Sequence, residues 1–93
     1  VTSERDIERY LIGEVERHGG VALKFTGARG MPDRIVLLPG GRIAFVEVKR
    51  PGQRARKLQA YWLGVFEWYG FPTATVSTPS EVDALMRALS HEE

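Results

Sequence analysis

The run "DRIVLLPGGRIAFVEVK", residues 33 to 49, limits what this chain can fold into more than any other stretch. Two strand-length, β-branched segments, "DRIVLL" (33 to 38) and "RIAFVEVK" (42 to 49), flank "PGG", which is the pattern of a β-hairpin. Side chains along a strand alternate between its faces. In the second segment Ile43, Phe45, Glu47 and Lys49 share one face, and Ala44, Val46 and Val48 share the other. Both faces are apolar, so a central strand covered on both sides is expected. Glu47 and Lys49 then continue a buried row, where a charge is costly unless it has a partner.

With Pro39, Gly40 and Gly41 as the turn, Leu38 pairs with Arg42, Val36 pairs with Ala44, and Asp33 falls opposite Glu47. Directly opposed residues hold their Cβ atoms about 4.5 to 5.5 Å apart, and like charges there repel. Two such carboxylates leave one of them inclined to stay protonated, unless a cation lies between them. Mg²⁺ suits the arrangement, because it takes one or two carboxylates together with waters and phosphate oxygens. Lys49, one pleat from Glu47, would then orient or deprotonate an attacking water, or hold a phosphate. A Glu-x-Lys at a strand end also makes ordinary ion pairs. Asp33 opposite Glu47 is what favours the metal.

The rest of the chain supplies helices for such a sheet. Ser3 or Thr2 caps a first helix on which Ile7, Leu11 and Val15 recur at helical spacing, and "HGG" at 18 to 20 stops it. "VALKF" (21 to 25) and "TATVS" (73 to 77) read as short strands, separated from the hairpin by the loop "TGARGMP" and by a second helix. Leu58, Trp62, Val65, Phe66 and Tyr69 set that helix, which Gly70 and Pro72 end. "TPSE" starts the last helix as a capping box with Pro79 in its first turn, and Val82, Leu85, Met86 and Leu89 line it. The order α-β-β-β-α-β-α, over one domain spanning residues 1 to 93, predicts a mixed α/β sheet flanked by helices.

The 93 residues hold no cysteine, so there is no disulfide or thiolate metal site. No apolar run approaches the roughly 18 to 20 residues of a membrane span, and no signal pattern opens the sequence. The expectation is a protein of the cell interior, in the cytoplasm. Net charge is only +1, but "KRPGQRARK", residues 49 to 57, is basic throughout and carries no acid. Such a run forms either a solvated loop or a patch for a polyanion.

Pro32-Asp33, thirteen residues, then Glu47-Val48-Lys49 resembles the PD-(D/E)xK nuclease signature. The longer "GMPDRIVLLPGGRIAFVEVKRPGQRARKLQ" is similar to the VRR-NUC family, small virus-type replication-repair nucleases of phages and bacteria that also occur as modules of larger repair enzymes. The resemblance implies a restriction-endonuclease-like fold and Mg²⁺- or Mn²⁺-dependent endonuclease hydrolysis of DNA phosphodiester bonds. By position, it makes Asp33, Glu47 and the Val48 backbone carbonyl metal ligands, and Lys49 the catalytic lysine. Gln59 matches a family glutamine that supports the site. The family's first-helix acid corresponds to Glu8, whose spacing to the glycine matches archaeal junction resolvases, or to Glu4, one turn earlier.

Arg29 in "TGARG", with Arg50, Arg54, Arg56 and Lys57 after the hairpin, would follow DNA phosphates without reading sequence. No recognition module is visible in these 93 residues, so structure-selective rather than sequence-specific cleavage is expected. Family analogy therefore favours branched DNA, a Holliday junction or a flap, in phage or bacterial replication and repair. The aromatic helix 57 to 70 is expected to place most of its rings in the core, with the remainder forming a homodimer contact. His18 and His91 lie in poor places for catalysis. Two competing readings are a non-catalytic DNA-binding module and a nuclease subunit that needs a replication or repair partner.

Overall fold

The structure is a computed structural model and describes residues 3–90. The alternative cap Thr2 and His91 lie outside the described residues. Helix α1 (Glu4–Arg17) starts at a reciprocal cap, in which the Ser3 hydroxyl accepts the Asp6 N–H at 3.1 Å and the Asp6 carboxylate accepts the Ser3 N–H at 3.3 Å. Each arm satisfies an amide that the first helical turn leaves without a partner. Strands β1 (Val21–Lys24), β2 (Arg34–Leu38) and β3 (Arg42–Val48) follow, then helix α2 (Lys57–Trp68), strand β4 (Thr73–Val76) and helix α3 (Pro79–Ser90). This is the expected α-β-β-β-α-β-α order, with Phe25, Asp33, Lys49 and Ser77 lying just outside their strands.

The sheet runs β1-β2-β3-β4. Strands β1, β2 and β3 pair antiparallel in sequence order, and β4 joins β3 in parallel. A parallel neighbour cannot follow from a tight turn, so α2 makes the crossover between β3 and β4. The turn is the expected three residues, with Leu38 facing Arg42 and Val36 facing Ala44. Gly40 and Gly41 take φ values of 89° and 76°, which a residue with a Cβ adopts only under strain.

One face of the sheet carries the core. Ile7, Leu11 and Val15 of α1 and Val82, Met86 and Leu89 of α3 close over Val36, Ala44, Val46, Val48 and Val76. The Tyr10 hydroxyl donates to Asp83 at 2.6 Å and ties the two helices together. On the opposite face Phe45 stacks on Phe66 of α2 with ring centroids 4.0 Å apart, and Phe25 and Phe71 complete the cluster.

That second layer is thin, and here the expectation for the aromatic helix fails. No residue of α2 is buried, and Tyr61, Trp68 and Tyr69 are 60%, 80% and 67% exposed. Trp62, Leu63, Val65 and Phe66 are half-buried, because a single helix offers only one narrow stripe to the sheet beneath it. No helix among the described residues is long and apolar enough to cross a membrane.

Gly20 holds α1 against the hairpin. A Cβ there would meet the Leu37 carbonyl oxygen and lie 2.7 Å from Leu38 Cδ2. Backbone cannot move aside as a side-chain tip can. Gly20→Ala should therefore lower stability by about 1–3 kcal/mol, the usual cost of overpacking. Urea denaturation measures it, and a midpoint equal to wild type would count against this tight approach.

Candidate active site

The hairpin ladder ends at the pair Arg34–Val46, and its register carries Asp33 to the position facing Glu47. There the pairing changes character. The Asp33 side chain, instead of a main-chain carbonyl, accepts the Val48 N–H at 2.8 Å. The main chain of Asp33 stays tied to the neighbouring segment, with its carbonyl accepting the Phe25 N–H at 3.2 Å. Lys49 lies beyond β3, yet its N–H donates to the Val76 carbonyl at 2.9 Å, which holds it against β4. Asp33, Glu47 and Lys49 thus meet where the sheet frays, each positioned through the backbone.

Glu47 is 1% exposed and Lys49 7%, and they are the buried charged residues of the protein among those described. Lys49 Nζ lies 3.2 Å from Glu47 Oε2, while Glu47 Oε1 is buried with no hydrogen-bond partner. Burial pushes the Glu47 carboxyl above its usual range, and the Asp33 carboxylate pushes the same way. Lys49 opposes both by hydrogen bond and charge. Glu47 thus stands between the influence of a lysine and that of a second carboxylate, in a water-poor site. An unpartnered buried carboxylate oxygen is expensive, and a hard cation or a proton relieves it.

The remaining sequence candidates are only partly brought together. Gln59 stands in the first turn of α2, where its Oε1 accepts the Arg56 N–H at 2.9 Å and caps the helix. Glu8 Oε2 accepts Arg34 Nε at 2.8 Å, and Arg34 also donates to the Ala22 carbonyl at 3.1 Å. Arg34 faces the α1 side of the sheet, opposite the face of Glu47. Glu8 therefore reaches the site's margin by way of Arg34, and Glu4 opens the same helix one turn earlier. Among the described residues no three of His, Cys, Asp and Glu are grouped closely enough to hold a metal. The oxygen donors at hand are Asp33, Glu47 and the Val48 main chain. His18 ends α1 and bonds the Glu14 carbonyl through its ring, away from these groups.

Arg34 escaped sequence reasoning, although an arginine beside Asp33 in an otherwise apolar strand was a visible signal. The basic residues Arg29, Arg50, Arg54, Arg56 and Lys57 are all exposed. Arg29 precedes Gly30, which packs against Leu58 of α2, and the other four line the segment leading from Lys49 into that helix. The segment begins with a turn in which the Gln53 N–H donates to the Arg50 carbonyl at 3.0 Å, with Gly52 at φ 84°.

The raised Glu47 group makes stability depend on pH. The native state keeps a proton that the unfolded chain has already released, between the ordinary glutamate range and the higher native value. Stability in metal-free buffer should fall as pH rises through that interval. Glu47→Gln should flatten the slope, and Mn²⁺ should raise the melting temperature of wild type more at the upper end of the interval than below it. Calorimetric melts across the acid-to-neutral range measure this; equal slopes for wild type and Glu47→Gln would refute the burial argument.

Comparison with known proteins places this geometry. A family model, the VRR-NUC domain, matches residues 14–78, which include Asp33, Glu47, Lys49 and Gln59 but neither Glu8 nor Glu4. Over 58 residues the chain is 50% identical to p44, a candidate nuclease by its name, from Acyrthosiphon pisum secondary endosymbiont phage 1. That match covers 60% of this chain and 62% of p44, less than two thirds of either. A solved structure described as a VRR_NUC domain superposes with a TM-score of 0.84 at 31% identity, over 94% of this chain and 97% of the other. The family model spans well over half of the sequence and the solved structure shares its fold, so the chain belongs to the VRR-NUC family.

Proposed function

We propose that this domain is a divalent-metal-dependent endonuclease that cuts branched DNA, and the observation that carries this is the buried, unpartnered Glu47 Oε1 of a carboxylate that lies beside Asp33 and is paired to Lys49 only through Oε2. Asp33, Glu47 and the Val48 carbonyl would hold Mg²⁺ or Mn²⁺, an oxygen donor set suited to a hard cation. Such an ion, when bound, lowers the pKa of a water and offsets charge developing at a phosphate. Lys49 is held by Glu47 and by the β4 backbone, so its ammonium group is fixed where it can orient an incoming water or a phosphate oxygen. Gln59 has its carbonyl oxygen committed to the helix cap, which leaves its amide N–H groups free to donate toward substrate. Glu8, or Glu4 in second place, supplies the first-helix acid, and through Arg34 it steadies the end of β2.

Arg29, Arg50, Arg54, Arg56 and Lys57 would follow flanking phosphates and release counterions as they bind. Affinity should then fall steeply with salt, by about one unit of log–log slope per phosphate neutralised. Contacts of this type select shape rather than sequence. A Holliday junction or a flap in phage or bacterial replication and repair is the substrate they favour. The exposed Tyr61, Trp68 and Tyr69 on α2 support a homodimer, since a two-fold pair of sites can cut both strands of a symmetric junction. The same apolar surface would also suit a replication or repair protein, in which case the isolated domain cuts weakly until that partner is added.

Two experiments test the reading. Wild type with Mg²⁺ or Mn²⁺ should cut a four-way junction or a 5′-flap faster than linear duplex or single strands, and EDTA should abolish cutting. Lys49→Ala should lose about 100-fold or more in rate, the usual scale for a positioned proton-transfer group. A folded wild type that cuts none of these DNAs would favour a non-catalytic DNA-binding module. Light scattering tests assembly separately: twice the monomer mass is expected, and a monomer at working concentration would overturn the homodimer.

A further inference from the structure

Strand β4 brings one more side chain to the charged end of the sheet. Its parallel register sets Thr73 beside Phe45, Ala74 beside Val46, Thr75 beside Glu47 and Val76 beside Val48. Neighbouring strands lie about 4.8 Å apart, and residues in register project to the same face. Glu47 is thus flanked by Asp33, just before β2, on one side and by Thr75 of β4 on the other, a row of three.

Accessibility changes along that row. Glu47 is sealed, Asp33 is half-buried and Thr75 is exposed. A phosphate arriving from solvent meets Thr75 at the open rim before it reaches the carboxylates. The other hydroxyls of β4 and its continuation are less suited. Thr73 is half-buried beside the Phe45 ring, and Ser77 is half-buried, its amide donating to Glu81 Oε1 at 2.6 Å. Strands favour threonine for its branched Cβ alone, but that preference is equally met by valine.

We propose that Thr75 is a further substrate-contacting residue of this site, its hydroxyl donating a hydrogen bond to a non-bridging oxygen of the DNA phosphate that lies over Glu47. The proposal rests on the nuclease reading above. Asp33 and Glu47 would hold the cation that offsets charge at the reacting oxygens, and Thr75 supplies an uncharged donor on the side of the row where no cationic side chain stands in register. A hydroxyl there fixes the phosphate without adding to the charge that Lys49 already balances.

The test compares wild type, Thr75→Val and Thr75→Ser. Valine keeps the branched Cβ at an exposed edge position, so all three should melt at similar temperatures. On whichever DNA wild type cuts fastest in Mn²⁺, Thr75→Val should lower kcat/KM about five- to tenfold, the scale of one lost hydrogen bond. Thr75→Ser should recover most of that loss. Mn²⁺ affinity measured by titration calorimetry without DNA should be the same for all three, because the hydroxyl acts on phosphate and not on the ion. Thr75→Val cutting as fast as wild type, or Thr75→Ser as slow as Thr75→Val, would overturn the contact while leaving the nuclease reading intact. Mn²⁺ affinity falling in step with rate would overturn it too, by moving the hydroxyl's role to the metal. A wild type that cuts no DNA removes both readings together.

Discussion

The structure depends on the register of one hairpin. Because side chains alternate along β3, a slip of one residue against β2 would send Glu47 and Lys49 into the layer of Ile7, Leu11 and Val36, and bring Val46 and Val48 out to the charged face. The three-residue turn at Pro39 to Gly41 excludes that slip locally, through two consecutive glycines with positive φ. The apolar row Ala44, Val46 and Val48 excludes it globally, since each is buried under α1 and α3. Turn chemistry and burial therefore demand the same alignment. Agreement between local and global preference is what lets a short chain hold one structure.

The same alignment places an electrostatic load where the fold can bear it. Taking both Glu47 and Lys49 out of water is costly, their contact offsets part of that cost, and removing either one would leave the other buried without compensation. Asp33 lowers that offset by adding a second negative charge. Its carboxylate, however, also serves as the missing main-chain partner of Val48, so removing it would free a buried amide. The end of the ladder is where a side chain can stand in for backbone.

Much of this was legible in the sequence, for reasons that differ by element. Alternating β-branched runs around "PGG" specified β2, β3 and their register, and the Ser3 cap and the apolar stripe of α1 did the same for the first helix. Asp33 opposite Glu47 followed from counting across the turn. What escaped notice lacks a local code. The parallel seating of β4 against β3 depends on how α2 crosses the sheet, and no turn residue encodes it, so the neighbour of Glu47 on that side could not be counted. The rings of α2 show the same limit. Spacing identified a helix, but Tyr61, Trp68 and Tyr69 are exposed because coverage is set by how much sheet one helix can span. The Arg34–Glu8 pair joins residues far apart in sequence, and only packing brings them together.

The uneven thickness of the two layers bears on motion. Helices α1 and α3 are anchored by buried side chains, whereas α2 has no fully buried residue and covers the sheet through half-buried ones. Segments with little buried apolar contact open without global unfolding, at a free energy below that of the whole domain. The amides of α2 are accordingly set to exchange with solvent hydrogen sooner than those of α1. The element that carries Gln59, and that the basic segment leads into, is also the one the molecule can most cheaply lift. A domain built this way separates rigidity from adaptability, keeping the carboxylates on a stiff sheet and the helix beside them on a loose tether.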